Sequence, residues 1–265
     1  MSTAFNIAFN RNKVLELGGE EYKEMAEGDG HLKTGSVRRL IVGEPIGVFY
    51  GYRFDGIFQN EEECKQQTSS ASPIGVGLRR YKDLNGDGKV DAANDREILG
   101  DANPKFFGGL TNTFAYKGFE LNVFLQYSYG NKILNYNAME LENPTGGQNA
   151  YADMVNRWTP ENPSNIYPKA TTNRALLVSD RFIEDGSYLK LKTLSLSYSF
   201  PKINLKHIQG LRLYVTGQNL LTWTKYRGYD PEVSYRGAST LEAGEDFGGY
   251  PQSRTFMFGI KLDIK

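Results

Sequence analysis

Residues 83–95, "DLNGDGKVDAAND", place Asp83, Asn85 and Asp87 at every second position, followed by Gly88, Lys89 and Asp91. A calcium loop needs closely spaced oxygens of this kind. Gly88 falls where the chain must turn sharply, the Lys89 carbonyl falls where a backbone ligand is expected, and Asp91 stands at the next ligand position. The closing position holds Asn94 rather than a bidentate Glu, and Asp95 is the next carboxylate. Calcium is therefore a possible cofactor of this loop. The same residues also suit a solvated turn in which Asx side chains bond the backbone and hold no ion. Clustered surface acids with no cleft and no perturbing partner do not make a catalytic pair.

Other chemistry-bearing residues are sparse. "TKYRGYDPEVS" gathers Tyr226, Arg227, Tyr229, Asp230 and Glu232. Aromatic faces and carboxylates suit contacts with a sugar or a peptide, and they equally suit packing between loops. Trp158, in the Pro-punctuated "RWTPENP", reads as an anchor or as a binding platform. His31 and His207 are far apart and have no motif around them, which gives no basis for Ser-His-Asp chemistry. The Gly-rich stretch 47–56 lacks the GxGxxG-before-helix pattern of a phosphate loop. Cys64 stands alone, so neither a disulfide framework nor a Cys-type metal site is available. No enzyme is expected.

The elements that must position these residues are strands. In "GFELNVFLQYSYGN", Phe119, Leu121, Val123, Leu125, Tyr127 and Tyr129 alternate with Glu120, Asn122, Gln126 and Ser128, and Phe124 is the exception. Stretches ending at Tyr116, Phe200, Trp223 and Ile264, and one near the start containing Phe5, Ile7 and Phe9, have the same period. Lys117-Gly118 predicts a tight hairpin turn. The runs are about 9–13 residues long, longer than a soluble strand and suited to crossing a bilayer. One face is apolar and aromatic and the other polar, as in a wall between lipid and a wet lumen. Tyr127, Tyr129, Tyr198, Phe200 and Trp223, near strand ends, suit an interfacial girdle. A soluble sandwich or lipocalin-like barrel also alternates.

Long polar stretches at about 59–100, 131–180 and 225–251 separate the strands. Outer-membrane barrels carry such long outer loops with short turns opposite them. "NAYADMVNRW" suits a short helix within the second. Lys+Arg and Asp+Glu both number 31, so the chain is neutral, and no basic face for nucleic acid is expected. The start, "MSTAFNIAFNRNK", has no signal-peptide pattern, and no run is long and apolar enough for a membrane helix.

Several segments resemble, in order, the C-terminal part of SusC/RagA-type TonB-dependent outer-membrane transporters. They are "GEPIGVFYGYRFDGIFQNEEE", "YKDLNGDGKVDAANDREILGDANPKFFGGLTNTFAYKGFELNVFLQYSYGN", "RWTPENPSNIYPKA", "DGSYLKLKTLSLSYSFP", "VTGQNLLTWTKYRGYDPEVS" and "YPQSRTFMFGIKLDIK". The resemblance implies an all-β fold, an antiparallel transmembrane β-barrel segment with long extracellular loops. Residues 1–265 would supply about eight long strands of a 22-stranded barrel, with the plug, TonB box and signal peptide having no counterpart here. It further implies a full-length protein in the Gram-negative outer membrane that imports oligosaccharides, or peptides, for nutrient uptake. Its partners would be a SusD-like lipoprotein, TonB acting through the missing N-terminal part, and outer-membrane lipid. This fragment is not expected to be active by itself. The DxNxDG element around Asp83 is usual in the family, and loops such as the one holding Tyr226 line its substrate chamber. The other expectations are a soluble β-sandwich binding calcium and carbohydrate, and a non-functional gene remnant.

Overall fold

A computed structural model of the chain describes residues 1–25, 32, 34–143, 149–172, 176–201, 208–235, 237, 239 and 241–264. Six strands form one antiparallel sheet in chain order: β1 (Ser2–Ala8), β2 (Phe106–Tyr116), β3 (Phe119–Tyr129), β4 (Tyr188–Ser199), β5 (Ile208–Thr224) and β6 (Thr255–Ile264). These are the six alternating runs legible in the sequence. The expectation of about eight is corrected to six among the described residues, because the remaining polar stretches form only short strands outside this sheet.

The register divides the sheet into two chemically distinct faces. Phe119, Leu121 and Val123 stand opposite Tyr116, Phe114 and Asn112 on β2 and opposite Tyr198, Leu196 and Leu194 on β4, and the same row continues to Leu213 and Val215 on β5 and Ile260 and Phe258 on β6. Most of this face is uncovered: Phe5, Phe119, Leu196, Leu213, Leu221, Phe256, Phe258 and Ile260 are all exposed. No second sheet or helix lies over it among the described residues, which removes the sandwich expectation. Aromatic residues cluster at both ends of the face. Phe9, Phe106, Tyr127 and Tyr129 pack at one end, and Phe119, Tyr198 and Phe200 at the other. Between the two bands β3 presents Leu121, Val123 and Leu125. The strand length from Phe119 to Tyr129 is about 33 Å, or about 23 Å of height at a 45° tilt, which matches the apolar band of an outer-membrane barrel.

The other face is a hydrogen-bonded polar ladder. Ser195 and Thr216 hydroxyls lie 2.8 Å apart, Arg212 donates to Ser197 and Glu120, and Asn122 donates to Thr113. Phe124 breaks the alternation because its ring lies over Gly109 of β2, where a side chain would collide with it. Tyr214 covers Gly259 of β6 in the same way. Glycines that leave room for a neighbouring ring are a known means of pinning register.

Parity also slips within β4, where "YLKLKTLSLS" puts Leu189 and Leu191 out of step with Leu194 and Leu196. Register shifts beside Lys192 absorb the extra residue and keep all four leucines on one face. In β5 the compensating residue is Asn219, which takes the left-handed conformation (φ 53°) that Asn tolerates.

Short and long connections alternate. Lys117 and Gly118 both have positive φ, 46° and 88°, as a two-residue type I′ turn requires. The link 200–207 is also short, and its residues 202–207, with His207, lie outside the described residues, as does His31. Because the sheet is antiparallel, the three long connections 9–105, 130–187 and 225–254 leave from one end.

Those connections are not structureless. They fold together into a cap with its own core, built from Val37, Phe49, Leu134, Tyr136, Met139, Val178 and Phe182. The strand Lys132–Asn135 of the second connection pairs with Glu245–Asp246 of the third. Tyr52 of the first donates its backbone N–H to Val178 of the second, an approach so close that a side chain at Gly51 would meet the Val178 carbonyl. Arg38 and Glu245, each 2% exposed, bridge the first and third connections at 2.9 Å. The helix expected in "NAYADMVNRW" is a short 3₁₀ helix, Ala152–Asn156, and Cys64 is half-buried in the short helix Glu61–Lys65.

Candidate functional site

The polar face and the cap meet around Glu232. Its neighbour Asp230-Pro231 sets a turn, and the chain then folds in over the first residues of β4. Glu232 accepts from Lys190 Nζ (2.5 Å) and Lys192 Nζ (2.9 Å) through one oxygen, and from Gln126 Nε2 (3.0 Å) and Tyr188 Oη (3.1 Å) through the other. Lys190, 1% exposed, also donates to Asp230 at 2.6 Å. Asp230 further accepts the backbone N–H groups of Glu232 and Gln252. Burial pushes the Glu232 carboxyl upward, but the bonds from Lys190 and Lys192 outweigh it and hold the group below its ordinary value. A buried lysine is tolerable only with such partners. The cluster thus pins the third connection to the polar wall. Beside it, a cleft of about 340 Å³ opens between Ser128, Asn131 and Tyr188 of the wall side and Val233, Ser234 and Ala243 of the connection.

The predicted contact residues divide into committed and free groups. Tyr226 is buried, and its hydroxyl donates to Asp246 at 2.5 Å; burial, then that bond, push the phenol well above its usual range. Arg227 pairs with Glu184 (2.8 Å) and with the fully buried Glu142 (2.9 Å), which keep the guanidinium more basic than usual against the effect of burial. Asp230 and Glu232 are occupied as described. Trp158 donates its indole N–H to Gln59 and packs on Gly77, where a Cβ would meet its ring, so it joins the first two connections as an anchor. Tyr229 is 81% exposed and alone among these presents a free ring. Lys190, Lys192, Tyr188 and Gln126 were missed as site residues. The doublet of lysines at the parity slip of β4 was the available signal.

The Asp-rich loop closes on itself. Asp83 accepts the N–H groups of Gly86 and Gly88, both at 2.7 Å; Asp87 accepts from Lys89; and Asp91 accepts from Ala93 and Asn94. The Asn85 side-chain oxygen accepts from Asp87, while the Lys89 ammonium reaches Asp91. Asp95 is fully buried and accepts from Leu84 and Asp91, both at 2.7 Å. Among the described residues no group of three or more His, Cys, Asp or Glu side chains is placed to hold a metal ion, and the Asp83, Asp87, Asp91 and Asp95 carboxylates are each bonded to backbone N–H groups.

Comparison with known proteins follows the fold. TonB-dependent receptor P3 of Formosa agariphila is 39% identical over 98% of this chain, and TonB-dependent receptor P26 of the same organism is 33% identical over 97%. TonB-dependent receptor SusC of Bacteroides thetaiotaomicron is 26% identical over 98%. The chain belongs to the SusC/RagA-type TonB-dependent receptors. This receptor segment spans about a quarter of the length of those relatives, 26%, 26% and 24% respectively. A scan against protein-family models found no match. The solved structure of the RagAB peptide transporter superposes on the segment with a TM-score of 0.73, at 24% identity, covering 98% of this chain and 27% of that one. The receptor fold accounts for the bare apolar face, the polar ladder and the one-sided cap.

Proposed function

We propose that this segment is the C-terminal stretch of barrel wall and outer cap in a TonB-linked importer of the Gram-negative outer membrane. The parent protein takes up oligosaccharides for nutrition with a SusD-like lipoprotein over its mouth, and TonB drives it through the N-terminal part. The observation that carries the reading is the single apolar face, bare between two aromatic bands, backed by a polar ladder. Apolar surface of that extent left open in water would be an aggregation hazard, whereas hydrocarbon accepts it. The polar ladder lines the solute path, the three joined connections form its outer rim, and no side chain does covalent chemistry. Peptides are the second reading for the substrate, favoured by the likeness to the RagAB peptide transporter.

Single cysteines in a Cys64→Ser background, placed in the parent protein in outer-membrane vesicles, test this. Val123→Cys and Leu213→Cys should resist a membrane-impermeant maleimide, and Thr111→Cys and Thr216→Cys should react. Equal reaction on both faces defeats the assignment. Uptake of labelled oligosaccharide or peptide by cells with and without the parent gene separates the two substrates.

A further inference from the structure

At the outer end of the apolar face, where the long connections leave the wall, the sheet carries a cleft of about 550 Å³. Phe106, Tyr127, Tyr129 and Trp223 of the aromatic band line it, together with Asp185, Ser187 and Lys225. Strand parity puts these groups on the lipid-facing side. Trp223 stands opposite Leu189. Ser187 and Asp185 precede Leu189 at every second residue, and Lys225 follows Trp223 at the same spacing. The cleft is therefore continuous with the face that hydrocarbon covers, and it is separate from the cleft beside Glu232 on the polar side. Its volume falls in the range of about 300–1,000 Å³ usual for small-ligand sites.

The rim of this cleft is charged. Lys105, just before Phe106, lays its stem over Gly130, where a Cβ would meet it, and so lies beside Tyr129. Arg11 donates to the Lys105 backbone carbonyl at 3.1 Å. Arg11, Lys105 and Lys225 are all exposed, and none of them forms an ion pair among the described residues. Asp185 is the acid of the cleft. Burial pushes its carboxyl upward, but the bonds from Ser187 and the charges of Lys132 and Lys225 outweigh burial and hold it below its ordinary value. Both Ser187 bonds go to one Asp185 oxygen, which leaves the other to accept from a ligand. Aromatic faces, a carboxylate and a hydroxyl suit a sugar ring, and exposed cations beside them suit a phosphate. The apolar wall directly below suits acyl chains, a feature that a soluble sugar phosphate would not use.

We propose that this cleft holds the phosphorylated sugar headgroup of an outer-leaflet glycolipid. Lys225 takes the phosphate, and Lys105 adds its charge from the β2 side. The sugar lies against Tyr129 and Trp223, Asp185 accepts from one of its hydroxyls, and the acyl chains run down the wall past Leu189. The inference rests on the outer-membrane reading for the placement of the wall, which the cysteine variants above test separately. A shielded Val123→Cys with no headgroup recognition removes this inference alone, whereas equal labelling of both faces removes both.

Native mass spectrometry of the parent protein in detergent micelles tests it, with monophosphoryl lipid A, its dephosphorylated form and phosphatidylglycerol as probes. Monophosphoryl lipid A should be retained about tenfold or more above either of the others. Lys225→Ala and Lys105→Ala, both at exposed positions that folding does not depend on, should each weaken its retention about fivefold. Trp223→Ala should weaken it about threefold. Lys117→Asn, which removes a cation at the inner hairpin, should leave it unchanged. Equal retention of the three lipids overturns the proposal. So does an equal loss in Lys117→Asn, which would mark charge attraction without a site. Displacement of the lipid by an excess of glucosamine 1-phosphate would assign the cleft to a soluble sugar phosphate and also overturns it.

Discussion

A lysine placed at different depths and on different faces of the sheet should cost very different amounts. Val123 lies on the apolar face near the middle of β3, four residues from Phe119 and six from Tyr129, and so close to the bilayer midplane. A lysine there cannot reach either aromatic band with its whole charge, so Val123→Lys should destabilise the inserted protein by about 2–4 kcal/mol. Tyr129→Lys, within the aromatic band, should cost about 0–1 kcal/mol. Thr111→Lys occupies the same depth as Val123 but points to the polar ladder, because Thr111 pairs with Phe124. Its lysine is in water, and the cost should stay within about 1 kcal/mol. Urea unfolding of the protein refolded into lipid vesicles, followed by tryptophan fluorescence, gives the three values. The reasoning fails if Thr111→Lys costs as much as Val123→Lys, or if the cost does not fall from Val123 to Tyr129.

Three further outcomes follow from the cap and its junction with the wall. A double-mutant cycle of Lys190→Ala and Asp230→Ala should give a coupling of about 1.5–3 kcal/mol in the same unfolding assay, as for a buried charged hydrogen bond; a coupling below about 0.5 kcal/mol would show that the pair does not pin the third connection. Because Glu232 is held below its ordinary value of 4.5, its contribution is complete above pH 4.5 and disappears as the pH falls through the lowered value. Protease cleavage within 225–254 should therefore rise only under acid conditions and lose that acid limb in Glu232→Gln. Asp95→Ala orphans two backbone N–H groups in a buried site and should loosen 83–95 by about 1–3 kcal/mol, whereas Asp87→Ala, exposed, should stay within about 0.5 kcal/mol. Millimolar calcium should leave both variants' proteolysis unchanged, and protection by calcium would show a metal role for the loop.

The wall was legible in the sequence because a strand between two media repeats every two residues. Each of the six strands could be found from that period, and even the exceptions had local causes, Phe124 and Tyr214 over glycines and the slip at Lys192 in a bulge. The cap was not legible. Its core residues, such as Phe49, Leu134 and Val178, come from three distant stretches with no common period. Arg38 and Glu245 look like surface residues in sequence and are instead among its most buried side chains. For the same reason residue type did not show that Tyr226 is buried on Asp246, or that the exposed Arg227 is paired with Glu142 and Glu184: it cannot distinguish a rim that greets solute from one that holds itself together. The EF-like spacing of Asp83, Asn85 and Asp87 suited both a calcium loop and an ion-free turn, and in the structure these oxygens are directed at backbone amides.

Since Arg38–Glu245, the Lys132–Asn135 pairing with Glu245–Asp246, and the Tyr52–Val178 bond each cross from one long connection to another, the outer rim stands or falls as a unit. An engineer who transplants one of these connections into a relative would strand buried charges and backbone groups at every seam. A working chimera would have to carry all three together, while the lipid-facing staves beneath could be exchanged almost residue by residue.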